Sequence, residues 1–177
     1  TWDKYLRGDL EAISTKAKKG AIIFFGKAGC DNCHNGPLFS DFEHHNIGIP
    51  QEGPGIEKSG IDEGRMVVTA NIQDKYKFRT PPLRNIFSTA PYFHDGVVSD
   101  VETAIDYHLQ PNKLKHQDID SSLISIKLPN RSSLDSRDIE YLIAFLKTLE
   151  DLSALQNSEI VPLTVPSGLP VQSLNTS

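Results

Sequence analysis

The sequence contains few cysteines, no long apolar run and no cluster of basic residues. No apolar stretch approaches the roughly 20 residues that a membrane-spanning helix needs, so we expect the chain not to cross a bilayer. The formal net charge is −5, and without clustered Lys and Arg a nucleic-acid-binding surface is not expected. The chain does not open with a charged segment followed by an apolar one. We therefore expect either that a signal peptide has been removed or that the chain is a piece of a longer protein.

The length and composition are typical of one folded domain. With 177 residues, 38% of them hydrophobic, the chain is long enough to bury a core of its own. After Asp151 the sequence turns to Ser, Asn and spaced prolines without an apolar period. We therefore predict one domain over residues 1–150 and an extended tail over residues 151–177.

The spacing of apolar residues predicts three helices. From Asp9 to Phe25, and again from Ser136 to Leu149, apolar residues recur every three or four positions, as they do along one face of a helix. A shorter helix is predicted after Ser99, which has the spacing of a capping box with Glu102. The apolar face of this short helix includes His108.

Both cysteines lie in one motif, Cys30-Asp31-Asn32-Cys33-His34. The form C-x-x-C-H is the attachment signature of c-type haem, because two thiols on adjacent turns reach the vinyl groups of one porphyrin edge and the histidine follows under the iron. A zinc site would need a second ligand pair, and a thioredoxin-like site would follow a strand rather than a predicted helix. A structural disulfide is the remaining alternative. We predict one covalent haem c, with His34 as the proximal iron ligand.

Residues 34–99, called the long loop below, are rich in Gly and Pro and show neither a helical period nor strand alternation. A loop of this length is unusual in a domain built only from protein, but a buried macrocycle can serve as the core around which it wraps. The predicted fold class is therefore all-α, a cytochrome c-like haem domain with few helices and long ordered loops.

The other histidines differ in how well they suit an iron ligand. His108 alone combines a helical position with an apolar face. We interpret His44, His45 and His116 as surface or hydrogen-bonded residues. We interpret His94 as a residue that braces the loop or lines the haem pocket.

Several segments resemble a known family. The haem motif continues as Asn35-Gly36-Pro37-Leu38-Phe39, and two further segments read FRTPPLRN at 78–85 and TAPYFHDG at 89–96. Together with the closing LIAFLKTL at 142–149, they resemble the bacterial di-haem cytochrome c peroxidase and MauG-like family. The resemblance covers residues 4–149 and fits the C-terminal haem domain of that family.

This resemblance implies an electron-transfer role. In the family the peroxide-reducing haem lies in the N-terminal domain, so this chain is expected to accept electrons and pass them on, and we assign it no catalytic residue. Its acidic surface favours a redox partner with a basic patch, such as a small cytochrome or cupredoxin, in the periplasm or another extracytoplasmic compartment. The alternative is an active two-haem peroxidase or MauG-like oxidase, whose catalytic domain is on a missing segment or another chain. A haem-based gas or redox sensor is a third hypothesis with little support.

The resemblance also implies roles around the haem. Four residues are expected to wall the macrocycle: Phe78, Leu83, Tyr92 and Phe93. Either Arg79 or Arg84 is expected to pair with a haem propionate, and Arg84 is the stronger candidate. The family also binds calcium between its domains through backbone carbonyls that correspond to Thr89 and Pro91.

The sixth iron ligand departs from the family pattern. The family places a Met, or in MauG-like members a Tyr, fourteen residues after the histidine that corresponds to His94, and here that position is His108. Tyr107 is the rival, but at about 100° per residue it lies off the apolar stripe. Met66 ranks third. We predict a bis-histidine iron, with a lower reduction potential than a His/Met iron would have.

Overall fold

The computed structural model describes residues 1–55, 60–109, 123–124, 134–151, 153, 164 and 166–168, and helices and loops dominate in them. The α-helices among these residues are α1 Trp2–Leu6, α2 Thr15–Phe24, α3 Met66–Thr69, α4 Val101–Leu109 and α5 Ser136–Leu146. Short 3₁₀ turns lie at Cys30–Asn32, Ile72–Asp74, Ile86–Ser88 and Lys147–Leu149. Two short strands, β1 His44–His45 and β2 Phe78–Arg79, pair in antiparallel fashion.

Helix α2 begins later than the sequence predicted. The helix was expected from Asp9, but it begins at Thr15, because the extended Ser14 caps it and accepts a hydrogen bond from the backbone N–H of Ala17 at 3.1 Å. Leu10, which the apolar pattern included, is 62% exposed. The prediction of helix over residues 9–14 was therefore wrong.

Helix α5 confirms its prediction most closely. It begins at Ser136, and the expected end at Leu149 is reached through the 3₁₀ turn that follows Leu146. Asp135 and Asp138 form a capping box, in which each carboxylate accepts the backbone N–H of the other residue at 2.9 Å.

Helix α4 lies where it was predicted, but its cap lies one residue later. The carboxylate of Asp100, not the side chain of Ser99, accepts the backbone N–H of Thr103 at 2.8 Å and its hydroxyl at 2.9 Å. Asp and Ser are equally good N-cap residues, so the sequence alone did not separate them. His108 lies in the last turn of this helix.

The apolar core lies where α1, α2 and α5 meet. Gly20 brings α2 so close to α5 that a Cβ atom there would lie 1.8 Å from the carbonyl oxygen of Tyr141. Beside this crossing, the rings of Trp2 and Phe24 pack on Phe145 with centroid distances of 5.0 and 5.1 Å. Phe39, from the long loop, packs on Phe24 and so joins the loop to the core.

The described residues of the long loop include several with left-handed backbone angles, and polar contacts join distant parts of the loop. Left-handed φ angles occur in it at Phe39, Phe42, Ala70, Tyr76, Asn85 and Phe93. Bulky residues adopt this conformation only where their surroundings fix it. The buried carboxylate of Asp95 accepts the backbone N–H of Gly53 at 2.9 Å, which joins two distant parts of the loop. The strand pair was not predicted, because two residues are too few to show alternation.

The described part of the chain contains no helix that is long and apolar enough to span a membrane. Most of the predicted tail, residues 151–177, lies outside the described residues, as does His116. The division into residues 1–150 and 151–177 stays a prediction.

Candidate haem site

Two histidines from distant parts of the chain lie next to each other. His34 follows the 3₁₀ turn of the haem motif, and His108 lies at the end of α4; their ring centroids are 6.3 Å apart and the rings are inclined at 65°. A metal lies about 2 Å from an imidazole nitrogen that binds it, so two imidazoles on opposite sides of one metal have centroids roughly 6 Å apart. The spacing of His34 and His108 therefore fits a single metal between them.

One ring nitrogen of each histidine forms a hydrogen bond with a backbone carbonyl oxygen. Nδ1 of His34 lies 3.0 Å from the carbonyl oxygen of Phe39, and Nδ1 of His108 lies 2.8 Å from that of Ala104. Because a carbonyl can only accept, Nδ1 is the protonated nitrogen in each neutral ring, and Nε2 keeps its lone pair. Metal-binding histidines typically hold their second nitrogen in this way.

Burial keeps both imidazoles neutral. It lowers the pKa of His34 to about 4, and the neighbouring His108 contributes to the lowering. Burial likewise lowers the pKa of His108. Neutral imidazole is the form that binds a metal, so neither ring has to lose a proton at neutral pH.

Cys30 and Cys33 are free, half-buried thiols. Burial, with a contribution from the charge of Asp31, raises the pKa of Cys30 to about 12. Burial and the charge of Asp41 raise the pKa of Cys33. Reactive redox cysteines have a lowered pKa, so these thiols do not fit a thioredoxin-like site. Two free thiols next to His34 in the motif do fit a covalently attached haem.

A carboxylate and an imidazole lie beside the second thiol. Among the described residues, Cys33, Asp41 and His45 form a group whose ligand atoms lie within 4.8 Å of one another. Structural zinc sites almost always have four ligands, and this group has three. The sequence placed neither Asp41 nor His45 in the site, and no spacing signal linked them to the motif.

Comparisons with known proteins place the chain in a family. No protein-family model matches it. The chain is 37% identical over 130 residues to the cytochrome-c peroxidase IdrP1 of Pseudomonas sp. strain SCT, covering 60% of the chain and 34% of the relative. It is 34% identical over 154 residues to the methylamine utilization protein MauG of Methylorubrum extorquens, covering 84% of the chain and 38% of the relative. The chain belongs to the bacterial di-haem cytochrome c peroxidase and MauG-like family.

Solved structures support the same relationship. A MauG-like protein associated with microbial copper homeostasis superposes with a TM-score of 0.71 at 30% identity, over 85% of this chain and 51% of that protein. The di-haem peroxidase BthA of Burkholderia thailandensis has the same fold, with a TM-score of 0.65 at 21% identity. These neighbours confirm the predicted all-α, cytochrome c-like fold. The chain spans only about two fifths or less of the two curated relatives, by their 34% and 38% coverage.

Phe93, one of the residues expected to wall the haem in this MauG-like chain, contacts one of the paired histidines. Its ring packs on His108 at 5.5 Å and on Tyr107 at 5.4 Å between centroids. Tyr107, the rival ligand, contacts Phe93, whereas His108 contacts both Phe93 and His34. Met66, the third candidate, begins α3.

The other three expected wall residues have protein neighbours that the sequence did not indicate. Phe78 stacks on His94 at 3.7 Å between ring centroids. Leu83 is buried in the apolar core. Tyr92 donates its hydroxyl proton to the carbonyl of Ile86 at 2.9 Å. Their contact with a haem stays a prediction.

The arginines and the expected calcium ligands lie as follows. Arg84 donates two hydrogen bonds to the carboxylate of Asp3, at 2.8 and 2.9 Å, and one to the carbonyl of Pro37 at 2.7 Å. Three of its five N–H donors therefore serve the protein, and the propionate contact stays a prediction for the remaining two. Thr89 and Pro91 are exposed, and calcium at their carbonyls stays a prediction.

Proposed function

We propose that this chain is a c-type cytochrome domain that holds one covalent haem and transfers electrons, and that it resembles the electron-accepting half of a di-haem cytochrome c peroxidase. The observation that carries the proposal is the 6.3 Å approach of His34 to His108, each with Nδ1 on a backbone carbonyl. Cys30 and Cys33 would form the two thioether bonds. The bound haem would supply an iron that takes up and releases one electron.

The protein's part would be to supply two iron ligands. Neutral His34 and His108 would hold the iron, and an iron with two protein ligands would have no open position for peroxide. The ring of Phe93 covers one side of His108. We therefore expect the isolated chain to show only weak peroxidase turnover, well below the roughly 10 per second of a typical enzyme.

The relatives' names support a second candidate, in which this domain works within an active two-haem peroxidase or MauG-like oxidase. Because the chain spans 34% and 38% of the two curated relatives, the peroxide-cleaving haem would be on another segment or chain. For either candidate we propose a periplasmic location, a small redox partner protein, and calcium at the carbonyls of Thr89 and Pro91. Native mass spectrometry that counts haems and chains separates the two candidates, with one haem and one chain expected for the first.

The ligand assignment is tested by replacing His108 with Ala and with Met, and Tyr107 with Phe as the matched control. In the unchanged protein we expect a low-spin bis-histidine signal in low-temperature EPR, and no methionine–iron band in near-infrared magnetic circular dichroism. His108→Met should introduce that band and raise the reduction potential. An unchanged spectrum in His108→Ala would show that another residue is the ligand.

Covalent attachment has its own test. Two thioether bonds survive unfolding, whereas coordination alone does not, so one haem should remain on the chain after extraction with acidified organic solvent. Haem that extracts freely from the unchanged protein would contradict the assignment of Cys30 and Cys33.

A further inference from the structure

The imidazole of His94 forms a hydrogen bond that has no part in the proposed binding of the iron. Its Nε2 lies 3.0 Å from Nε2 of Gln51, and Oε1 of Gln51 accepts the backbone N–H of Asp62 at 2.9 Å. Gln51 is buried, with 8% of its surface exposed. One glutamine side chain thus joins two other segments of the long loop.

The donors and acceptors of this group determine which nitrogen of His94 carries the proton. A backbone N–H can only donate, so the atom of Gln51 that faces Asp62 is the carbonyl oxygen, and its NH₂ group faces His94. That NH₂ group donates, so Nε2 of His94 is the acceptor and carries no proton. His94 is therefore neutral, with its proton on Nδ1.

The surroundings of His94 favour the same neutral form. Burial lowers the pKa of His94, although the carboxylates of Asp95 and Asp62 act in the opposite direction. The ring stacks on Phe78, with the centroids 3.7 Å apart and the planes inclined by 13°. A charged imidazole would place an N–H against the NH₂ group of Gln51. Turning the amide over would instead place that NH₂ group against the N–H of Asp62, so both hydrogen bonds form only when His94 is neutral.

Phe93, the residue before His94, contacts the proposed iron ligand His108. The two rings pack with their centroids 5.5 Å apart. Phe93 has a left-handed φ of +66°, which a bulky residue keeps only where its neighbours fix it. After His94, the buried carboxylate of Asp95 accepts the N–H of Gly53 at 2.9 Å. The ring contacts of His94 and this carboxylate therefore hold the backbone next to Phe93.

We propose that the hydrogen bond from Gln51 to neutral His94 holds Phe93 against His108, so that Gln51 and His94 are positioning residues for the sixth ligand of the iron. When His94 gains a proton in acid, this hydrogen bond is lost, Phe93 is released and His108 leaves the iron more readily. The proposal rests on the proposed function, because it requires His108 to bind a haem iron. It concerns how firmly that ligand is held.

The test measures how tightly cyanide binds to the ferric iron of the haem-bearing chain, because cyanide has to displace His108. Gln51→Leu removes the donor, and His94→Phe removes the acceptor but keeps an aromatic ring beside Phe78. Gln73→Leu is the matched control, since Gln73 is an exposed glutamine of the same loop. Each variant is compared with the unchanged chain at the same pH, so the protonation of cyanide cancels in the ratio.

At pH 7 we expect Gln51→Leu and His94→Phe to bind cyanide about two- to tenfold more tightly than the unchanged chain, and the control to match it. This range is what one hydrogen bond between neutral groups contributes to an equilibrium. Low-temperature EPR should show a low-spin iron in all the chains before cyanide is added. Cyanide affinities in both variants equal to that of the unchanged chain would overturn the proposal.

Gln51→Glu separates positioning from packing, because it keeps the shape of the side chain and replaces the donor with an acceptor. Its carboxylate can still accept the N–H of Asp62, and it accepts Nε2–H of His94 whether that ring is neutral or charged. Acid therefore breaks the hydrogen bond in the unchanged chain but strengthens it in Gln51→Glu. From pH 7 to pH 4, the cyanide affinity of the unchanged chain should rise about two- to tenfold relative to Gln51→Glu. A constant ratio over this range would overturn the proposal.

The role of Phe93 is tested by combining substitutions. Phe93→Leu should raise the cyanide affinity by itself, and adding Gln51→Leu should then change it by less than about twofold, because the two residues act through one contact. A second full increase would show that Gln51 acts on His108 by another route, and would overturn the proposal.

Other outcomes separate this proposal from the one on which it rests. Absence of covalent haem from the unchanged chain, or a spectrum that His108→Ala leaves as it was, would overturn the proposed function or its ligand assignment. If Gln51→Leu or His94→Phe fails to fold, the pH comparison with Gln51→Glu decides the proposal by itself.

Discussion

The α2–α5 helix pair and the long loop of residues 34–99 are stabilised by different means. The helix pair is closed by apolar rings around Phe145, whose side chain is 0% exposed. The loop has little regular structure, and four of its aromatic residues have left-handed φ angles. Hydrogen bonds join its parts, such as the one from the N–H of Gly53 to the carboxylate of Asp95. His34 is the first residue of this loop, and its ring contacts that of His108 on α4. The helix pair packs through protein contacts alone, whereas we expect the loop to depend on the haem that we propose the chain holds.

The largest effect should come from preventing haem attachment. Replacing both Cys30 and Cys33 with Ala removes the thioether bonds, and we expect the backbone amides of the long loop to lose most of their protection from hydrogen exchange. The amides of α2 and α5 should keep more of theirs, because their contacts are with each other. Hydrogen exchange measured by mass spectrometry makes the comparison. An equal loss of protection in both regions would show that the helix pair depends on the haem as much as the loop does.

The reverse experiment weakens the helix pair. Phe145→Ala removes the ring on which Trp2 and Phe24 pack, and Phe→Ala changes in cores cost about 3–5 kcal/mol. Ile22→Ala is the matched control on α2, since Ile22 is 73% exposed and its loss should stay within about 0.5 kcal/mol. The free energy of unfolding is measured with denaturant. Similar losses for the two variants would show that Phe145 is not central to the core.

The parts that the sequence predicted are those with local signals. Helix α5 was predicted from its apolar period, and the haem motif from five consecutive residues. His108 was singled out because it lies on the apolar face of a helix, and the structure brings it next to His34. Each of these signals is contained in a short stretch of chain, where spacing alone determines which residues share a face.

The parts that the sequence missed depend on contacts between distant segments. The hydrogen bonds from Arg84 to Asp3, far away in the chain, were not expected, and the propionate contact of Arg84 stays a prediction. Asp41 and His45 approach Cys33 only because the loop turns back on the motif. The start of α2 was misplaced because the apolar pattern included Leu10, which is exposed. The hydroxyl of Ser14 caps the helix and sets its first residue instead.

A smaller effect should follow from Gly20→Ala, which acts on the helix pair without removing any contact. The new Cβ would lie 1.8 Å from the carbonyl oxygen of Tyr141, so α2 and α5 must move apart. Overpacking of this kind typically costs about 1–3 kcal/mol. We expect the unfolding midpoint to fall while the EPR signal of the iron stays as it was, because His34 lies in the long loop and His108 on α4, and neither lies on α2 or α5. A change in that signal would show that helix spacing controls the ligands as well.

The smallest effect concerns Asp3 and Arg84, which join α1 to the long loop. The hydrogen bonds from Arg84 hold the pKa of Asp3 below its usual value, so the pair stabilises the folded state when Asp3 is ionised. The carboxylate of Asp3 is 47% exposed, and exposed ion pairs contribute at most about 1 kcal/mol. Asp3→Asn should therefore lower the free energy of unfolding by no more than that at pH 7.

The pH dependence of this loss identifies its source. A carboxyl whose pKa is lower in the folded than in the unfolded state stabilises the fold above its unfolded pKa, and this stabilisation disappears as the pH falls through its folded pKa. The difference between the unchanged protein and Asp3→Asn should therefore shrink as the pH falls below about 4, the usual carboxyl range. Denaturant unfolding at pH 7 and at pH 3 measures it. A difference that stays the same at both pH values would mean that Asp3 stabilises the fold through packing and not through its charge.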